Sequence, residues 1–254
     1  MTARVSADVA AMRSQGELAA TTWRDGEFAR SWAANDAFSD LLDFPRRIAA
    51  EVVALDNPAP RTVVDVAAGP GVMLEAFLTR FPTALGVWTD ASDAMLLMAR
   101  ERLAPFGDRV TYRIADMTDL ADAGLGGPGP GKETDVIVTS RAAHHLDRTA
   151  LHAFYADVAA RLAPGGWLVN LDHMSPASQA GPPGAAGHDE VWDQRLRAVR
   201  KNLGGRSEGP KHHHKYPLTS IGDHFDAFAA AGITDVEVPW RAFFTCLFMG
   251  RAPL

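Results

Sequence analysis

The chain has 254 residues, 47% hydrophobic and 22% charged, with a formal net charge of −6 and one cysteine. A disordered chain would have fewer apolar residues, and a disulfide-stapled secreted domain would need more cysteines than Cys246. No apolar run approaches the roughly 18 residues of a membrane span, and the N-terminus lacks the apolar core of a secretory signal. We therefore expect a cytoplasmic globular protein whose partner is neither a nucleic acid nor a membrane.

The first sixty residues predict helices. Between Ser39 and Leu55 the apolar residues recur at helical spacing, and those expected near one face are Leu41, Leu42, Ile48, Val52 and Leu55. Pro45 has no backbone N–H, so we expect it to begin or kink this helix rather than lie within it.

From residue 61 onward, short β-branched runs alternate with helical patterns, which indicates βαβ units and a parallel sheet. The strands are expected at TVVDVA, ALGVWTD, RVTYRIAD, TDVIVTS and GWLVNLD. Near the end, ITDVEVPWR and AFFTCLFMGR follow each other without a helix between them, so these two strands are expected to pair antiparallel. The predicted fold is a doubly wound α/β sheet of five parallel strands with a terminal hairpin at one edge.

The segment VVDVAAGPG joins the first strand to a helix through a turn of small residues. Ligands of open α/β sheets bind outside the carboxyl ends of the strands, and Ala67, Gly69 and Gly71 would let a ligand approach the backbone. The helix that begins at Gly71 could also receive an anion. The dinucleotide pattern G-x-G-x-x-G fails at Leu74, a P-loop fails because no Gly-Lys-Ser/Thr follows, and the turn is preceded by an acid, Asp65.

This segment, with an acid ending the second strand (Asp90 in VWTDAS) and another after the third (Asp116 in IADMTD), resembles the class I S-adenosylmethionine-dependent methyltransferases. The similarity is to the small-molecule branch of the quinone-biosynthesis type. LAPGGWLVN resembles the family's turn before the fifth strand. The resemblance implies a Rossmann-like sheet of seven strands, in the order 3-2-1-4-5-7-6, with the last strand antiparallel. Ala67 stands where many members have glycine, so we expect a turn compatible with a Cβ.

The resemblance implies S-adenosylmethionine as the cofactor. Asp90 follows Gly71 by 19 residues, near the roughly 20-residue interval at which an acid meets a ribose, and it is implied to bind the ribose diol. Asp116 would border the adenine, and Asp65 would attract the ammonium group of the methionine part. The remaining implied cofactor contacts are Ala67, Gly69, Gly71, Ala91, Met95, Met117 and Ser140. For Met95, ordinary core packing is an equal alternative.

Candidate catalytic residues follow the fourth and fifth strands. His144 and His145 precede a helix that Asp147 is expected to cap, and an imidazole is a suitable general base near neutral pH. Adjacent residues cannot both point into a site, so the alternative for either histidine is a structural or cofactor contact. Asp172 and His173 alternate along a strand, and either could serve as a base or as a substrate anchor.

The substrate is expected to bind under a helical cap (1–43) and a lid formed by an insertion (174–216), both parts of one methyltransferase domain spanning 1–254. The candidate substrate contacts are Trp23, Phe28, Trp32, Arg141, His173, Trp192, His214 and Trp240. The alternative for the aromatic residues is that they only pack the cap. The run KHHHKY offers too few ligands for a predicted metal site, and its basic character suits either an anionic substrate or a solvated loop.

The leading hypothesis is a methyltransferase that methylates an oxygen or nitrogen of a small molecule by in-line displacement, as a monomer or homodimer. The alternative is a catalytically silent or regulatory S-adenosylmethionine-binding protein of the same fold. The acidic charge and the absence of an Asn/Asp-Pro-Pro-Tyr motif disfavour a nucleic-acid methyltransferase, and Leu74 disfavours a nicotinamide oxidoreductase.

Overall fold

The structure, a computed structural model, describes residues 25–34, 39–121, 125, 133–175, 194–195, 198–199, 202 and 218–254. The strands are β1 (Thr62–Val66), β2 (Leu85–Asp90), β3 (Val110–Ile114), β4 (Thr134–Ser140), β5 (Leu162–His173), β6 (Asp235–Ala242) and β7 (Thr245–Arg251). The main helices are α1 (Gly26–Ala34), α2 (Ser39–Asp56), α3 (Val72–Arg80), α4 (Asp93–Leu103), α5 (Arg148–Ala159) and α6 (Ile221–Ala230). Short 3-10 turns lie at Ala104–Arg109 and Ala143–His145.

The strands form one seven-stranded sheet in the order β3-β2-β1-β4-β5-β7-β6. The first five strands pair parallel, and β7 runs antiparallel between β5 and β6. The prediction of a Rossmann-like sheet with this order and a terminal hairpin is therefore confirmed. The central strands are rich in β-branched residues because both sheet faces are covered, and every residue of β4 except Ser140 is buried.

The core has one layer on each face of the sheet. One cluster joins the sheet to α2, α3 and α4 and includes Phe77 and Trp88, while the other joins it to α5 and α6 and includes Phe154 and Phe228. This arrangement places the carboxyl ends of β1, β2 and β4 at a common edge, where the helices leave a crevice.

Helix α2 differs from the sequence prediction in two respects. Pro45 is the seventh residue of the helix rather than its start. The buried side of α2 contains Leu42, Arg46, Ala49 and Val53, whereas two residues predicted on the buried face, Leu41 and Leu55, are 40% and 84% exposed. The actual face follows the i, i+4, i+7, i+11 spacing from Leu42, and an arginine occupies one of its positions.

The predicted lid lies almost entirely outside the described residues, as do Trp23, Trp192 and His214 within the candidate substrate contacts. The backbone of Trp32 belongs to α1, and Phe28 on the same helix is partly buried. Both ends of the insertion are fixed beside the sheet, because Ser175 pairs with Ser220 and its N–H donates to the carbonyl of Thr219 at 2.9 Å. None of the helices in the described ranges is long and apolar enough to cross a membrane.

Candidate functional site

A cavity opens at the carboxyl ends of β1, β2 and β4. Ten residues proposed from the sequence as contacts or catalysts line it: Ala67, Gly69, Asp90, Ala91, Met95, Asp116, Met117, Ser140, Arg141 and His145. Seven more residues complete the lining: Arg46, Ala68, Pro70, Val72, Met73, Ala142 and Leu146. Asp65, Gly71, His144, Asp172 and His173 are not among the residues that line it.

The turn after β1 is bound to the end of β2. The Gly69 N–H donates to Oδ2 of Asp90 at 2.8 Å, and the Gly69 carbonyl accepts from the indole N–H of Trp88 at 2.9 Å. The Ala68 N–H donates to the carbonyl of Thr89 at 2.9 Å. These bonds hold the turn and the β2 carboxylate as one rigid wall of the cavity.

The expectation that Ala67 avoids a left-handed conformation is wrong. Its φ is +52°, as is that of Gly69, and such a φ costs a residue with a Cβ roughly 1–2 kcal/mol. The hydrogen bonds around the turn offset this strain. Residues in sparsely populated conformations concentrate at binding sites, and Ala67 lies on the cavity wall.

Asp90 is a buried carboxylate at the end of β2. Its Oδ1 accepts from the Ser92 N–H at 2.9 Å, while Oδ2 is the acceptor for Gly69. Burial raises the pKa of Asp90 to about 6, against the lowering effect of these backbone donors. Each carboxylate oxygen has a second lone pair, so Asp90 can also accept hydrogen bonds from hydroxyl groups in the cavity.

Asp65 lies behind the turn rather than in the cavity. Its side chain is fully buried, and Oδ2 accepts from the Leu74 N–H in the first turn of α3 at 3.0 Å. Burial raises the pKa of Asp65 to about 8, despite that donor and the positive charge of Arg46. The residue thus satisfies one of the free amides at the N-terminus of α3, a position that the sequence interpretation had left for a ligand anion.

Gly71 is required by packing. Its φ is +81°, and a Cβ built on it would lie 2.9 Å from Cδ1 of Leu103 on α4. Its N–H donates to the carbonyl of Ala68 at 2.9 Å, which closes the turn. The glycine therefore allows α3 to begin tightly against α4, and it is not among the residues that line the cavity.

Asp116 lies after β3, on the cavity wall beside Met117. Its Oδ1 accepts from both the backbone N–H and the hydroxyl of Thr118, at 2.9 and 2.7 Å. The short loop is thereby fixed with a carboxylate at the cavity. Met95 is 2% exposed and lines the cavity, so packing and ligand contact are compatible at this position.

The two adjacent histidines have different environments. His145 lines the cavity, whereas His144 is 5% exposed and pairs through Nδ1 with Oδ1 of Asp172 at 2.5 Å. The rings of His144 and His145 lie 4.2 Å apart between centroids. Both belong to the 3-10 turn before α5, and Asp147 caps that helix by accepting from the Ala150 N–H at 2.8 Å, as expected.

Asp172 and His173 complete this cluster. Asp172 is fully buried and accepts from the N–H groups of His144 and His173 at 2.9 and 2.7 Å. The Nδ1 of His173 lies 3.1 Å from the hydroxyl of Thr245. Among the four predicted catalytic candidates, only His145 is on the cavity wall, and the other three form the layer beneath it.

Arg46 is the main site residue that the sequence prediction missed. It lies on α2, is 2% exposed, and lines the cavity with its positive charge near Asp65. A charged residue is rarely buried without a binding or pairing role. The preceding Pro45 obscured it, because that proline suggested the start of a helix rather than its buried middle.

The lining offers charged and hydrogen-bonding groups that suit S-adenosylmethionine. The cofactor carries a ribose diol, an adenine, an ammonium, a carboxylate and a sulfonium. The cavity offers acceptors at Asp90 and Asp116 for the adenosine part, a cation at Arg46 for the carboxylate, and a backbone turn open at Gly69. A Cβ at Gly69 would meet only the sulfur of Met95, at 3.9 Å, so the backbone there faces open space.

Comparison with known proteins points to the same family. The model of a methyltransferase domain matches residues 63–166. A trans-aconitate 2-methyltransferase of Acidovorax sp. (strain JS42) is 35% identical over 136 residues, which are 51% of this chain and 47% of that protein. The chain therefore spans about half the length of the curated relatives that it matches.

Two solved structures have the same fold. An O-methyltransferase family protein from Burkholderia thailandensis superposes with a TM-score of 0.60 at 20% identity, covering 91% of this chain and 63% of that one. Human N-acetylserotonin methyltransferase in complex with SAM superposes with a TM-score of 0.61 at 13% identity, covering 100% and 68%. At these identities the likeness shows the fold alone. The matched domain, the curated relatives and the shared fold all support a class I S-adenosylmethionine-dependent methyltransferase.

Proposed function

We propose that the protein transfers a methyl group from S-adenosylmethionine to an oxygen atom of a small molecule. The observation that carries this proposal is the wall formed by the β1 turn and Asp90, where a strand-end carboxylate and an exposed glycine backbone are bonded together at the cavity. The matched methyltransferase domain, residues 63–166, contains this wall.

Four groups of the chain would hold the cofactor. Asp90 accepts hydrogen bonds from the ribose diol, and Asp116 with Met117 borders the adenine. Arg46 binds the methionyl carboxylate by charge and by hydrogen bonds from its guanidinium. Asp65 does not contact the ligand, but it fixes the start of α3 through Leu74 and so supports the turn. S-adenosylmethionine, when bound, supplies a methyl group on a positively charged sulfur that is open to displacement.

The protein's contribution to transfer is orientation and proton removal. Ser140 at the end of β4 and Arg141 and His145 after it line the cavity where an acceptor would meet the methyl group. With S-adenosylmethionine bound, the cofactor would supply the methyl group and keep the electron pair of the broken bond, and His145 would take the proton of the acceptor hydroxyl as general base. His144 is not assigned this role, because it is buried and is not among the residues that line the cavity.

The choice of a small molecule and of oxygen rests on two kinds of support. The relatives include trans-aconitate 2-methyltransferases, and the fold neighbours include O-methyltransferase family proteins. The net charge of −6 opposes binding to a nucleic-acid backbone.

Turnover tests the proposal against the silent-protein alternative. The protein is incubated with S-adenosylmethionine carrying a labelled methyl group and a panel of small hydroxylated and carboxylated acceptors. Acceptor-dependent release of S-adenosylhomocysteine, with label in the product, is expected. Binding of S-adenosylmethionine without label transfer to any acceptor would instead favour a regulatory protein of this fold.

A further inference from the structure

Two side chains of β2 bind the two peptide groups that meet at Gly69. Trp88 and Asp90 are two residues apart, so they project from the same face of the strand. The carboxylate of Asp90 accepts from the Gly69 N–H at 2.8 Å, and the indole N–H of Trp88 donates to the Gly69 carbonyl at 2.9 Å. The peptide groups before and after the Cα of Gly69 are therefore both held by the end of β2.

The peptide group after Gly69 depends on its carbonyl for a fixed orientation. Its nitrogen belongs to Pro70, which has no N–H to donate. Gly69 has a φ of +52°, and a Cβ built on it would meet only the sulfur of Met95, at 3.9 Å. Because glycine adopts positive and negative φ about equally readily, its own geometry does little to restrict rotation at this point of the turn.

The indole of Trp88 is itself held firmly. Its side chain is fully buried in the apolar cluster that joins the sheet to α2, α3 and α4, and its ring centroid lies 6.0 Å from that of Tyr112. A close-packed core confines such a ring to one rotamer, so the direction of its N–H is fixed. Trp88 is not among the residues that line the cavity, so it would affect a ligand only through the turn.

We propose that Trp88 is a positioning residue of the cofactor site, whose indole N–H orders the turn at Gly69 before S-adenosylmethionine binds. This inference rests on the proposed function. Fixing a backbone residue costs conformational entropy, and a turn that is already ordered does not subtract that cost from the affinity of the ligand. A mobile Gly69 would also withdraw its N–H from Asp90, the carboxylate assigned to the ribose diol.

The protonation of Asp90 distinguishes this role from packing alone. Burial raises the pKa of Asp90 to about 6, and the Gly69 N–H is the foremost of the backbone donors that oppose this rise. If that N–H moves away, the pKa rises further, and the ionised carboxylate that binds the diol is lost at a higher pH. The variants below leave unchanged the other titratable or charged groups at the cavity and behind the turn: Asp65, Asp116, Arg46, Arg141 and His145.

Calorimetric titration with S-adenosylhomocysteine, repeated between about pH 5 and 7.5, tests the proposal without requiring turnover. Trp88→Phe keeps an aromatic ring and removes the N–H, and its affinity at neutral pH is expected to be about 3- to 30-fold weaker than that of wild type. The pH midpoint at which affinity declines is expected to lie above the wild-type midpoint, because Asp90 loses part of its bond from Gly69.

Two further variants separate the hydrogen bond from the volume of the side chain. Trp167 lies in the same apolar cluster, but its indole N–H is buried without a hydrogen-bond partner among the described residues. Trp167→Phe is therefore the matched control, and it is expected to keep the pH midpoint and an affinity within about twofold of wild type. Replacing Trp88 by 3-benzothienylalanine substitutes sulfur for the N–H and keeps the ring shape, so it should reproduce the effects of Trp88→Phe even where that variant does not fold.

The outcomes distinguish this inference from the proposed function. If wild-type protein does not bind S-adenosylhomocysteine, the proposed function fails. If wild type binds it and the variants at position 88 bind it no more weakly than Trp167→Phe does, Trp88 does not order the turn, and methyl transfer is unaffected by that result. A loss of affinity without a shift of the pH midpoint would likewise overturn the inference, because the indole would then act by packing and not through Gly69 and Asp90.

Discussion

The imidazole of His144 and the carboxylate of Asp172 form a buried pair that joins the turn after β4 to the end of β5. Nδ1 of His144 meets Oδ1 of Asp172, and the His144 backbone N–H donates to Oδ2 at 2.9 Å. Burial by itself raises the pKa of Asp172, but the charge and hydrogen bond of His144 and the bonds from His173 outweigh it, so the pKa lies well below its usual range. The pair positions the turn that carries His145 to the cavity.

Removing Asp172 is expected to destabilise the protein. Asp172→Ala leaves two backbone N–H groups and an imidazole without their buried acceptor, which costs about 3–5 kcal/mol in the free energy of unfolding. Urea unfolding at neutral pH measures this loss, and Asp172→Asn, which keeps one acceptor oxygen, should lose less. Asp43→Ala is the control, because Asp43 is an exposed partner of Arg47 and should change stability by no more than about 0.5 kcal/mol.

The pair of His144 and Asp172 also makes the stability of the protein sensitive to acid. The folded-state pKa of Asp172 is depressed, so its contribution to stability is present above the unfolded pKa of about 3.8 and is lost as the pH falls through the folded value. Wild-type protein should therefore lose more stability below about pH 4 than Asp172→Asn does. Parallel acid-unfolding curves for the two proteins would contradict this contribution.

His145 and His144 should respond to mutation in different ways. His145→Ala is expected to lower kcat on a hydroxyl acceptor about 10²- to 10⁴-fold, while S-adenosylhomocysteine affinity stays near wild type, because a base is removed from the cavity wall. His144→Ala is expected mainly to reduce the free energy of unfolding, because His144 pairs with Asp172 in a buried layer. Two measurements distinguish the variants: turnover as a function of pH, and calorimetric affinity for S-adenosylhomocysteine. A kcat equal to that of wild type in His145→Ala would show that this histidine has a structural role only.

Gly71 offers a test of packing with a closely matched control. Gly71 and Gly232 share a φ of +81°, but a Cβ at Gly71 would lie 2.9 Å from Leu103, whereas nothing lies within 4 Å of a Cβ at Gly232. Gly232→Ala should cost about 1–2 kcal/mol for the backbone alone. Gly71→Ala should cost about 1–3 kcal/mol more, because α4 must move. Equal losses in thermal or urea unfolding would show that the α3–α4 contact tolerates the methyl group.

The sheet and most of the cavity lining follow from local sequence patterns. Short β-branched runs separated by helices specify parallel strands, and an acid at the end of each of two strands, Asp90 and Asp116, comes to one edge for that reason. These positions depend on strand order alone. The position of the turn after β1 follows from the same pattern. The left-handed backbone conformation of Ala67 in that turn does not.

The unpredicted features depend on long-range contacts. Arg46 is buried because α2 packs on the sheet with the face of Leu42, Ala49 and Val53, and hydrophobic spacing does not predict an arginine on that face. The separation of His144 from His145 depends on Asp172, which follows His144 by 28 residues in the chain. The sequence predicts a ligand contact at Gly71 because glycine in a turn suits both ligand approach and helix packing. The packing role becomes visible only in the structure, where Leu103 lies against Gly71.

Asp65 should make the stability of the protein fall as the pH rises toward about 8. Its folded pKa of about 8 lies above the unfolded value, so the folded state retains a proton that the unfolded state has lost. Stability then decreases as the pH rises, with a slope of at most about 1.4 kcal/mol per pH unit. Asp65→Asn keeps an acceptor for Leu74 and should flatten the curve between about pH 6.5 and 8.

The range from about pH 6.5 to 8 distinguishes the titration of Asp65 from that of two other buried groups. Burial raises the pKa of Asp90 to about 6 and lowers that of His224 to about 4, so both titrate at lower pH. Asp90→Asn should therefore alter the stability curve below that window and leave its alkaline part as in wild type. If Asp65→Asn and wild type lose equal stability from pH 6.5 to 8, Asp65 does not hold its proton in the folded protein.

Cofactor affinity should depend on the charge of Asp90. Ribose hydroxyls donate to the ionised carboxylate, so affinity for S-adenosylhomocysteine is expected to fall as the pH is lowered through about 6. Asp90→Ala should weaken binding by roughly 1–3 kcal/mol at neutral pH and remove this pH dependence. Glu75→Ala, on the outer side of α3 in its exposed pair with Arg102, is the control. Unchanged affinity in Asp90→Ala would reject the ribose role.

Calorimetric titration of the wild-type protein with S-adenosylmethionine, and separately with NADH, tests the central claim most directly. The cavity joins the β1 turn, Asp90 and Arg46, but Leu74 replaces the third glycine of a dinucleotide site. We therefore expect S-adenosylmethionine to bind at a single site and NADH not to bind. Binding of NADH without binding of S-adenosylmethionine would contradict the account.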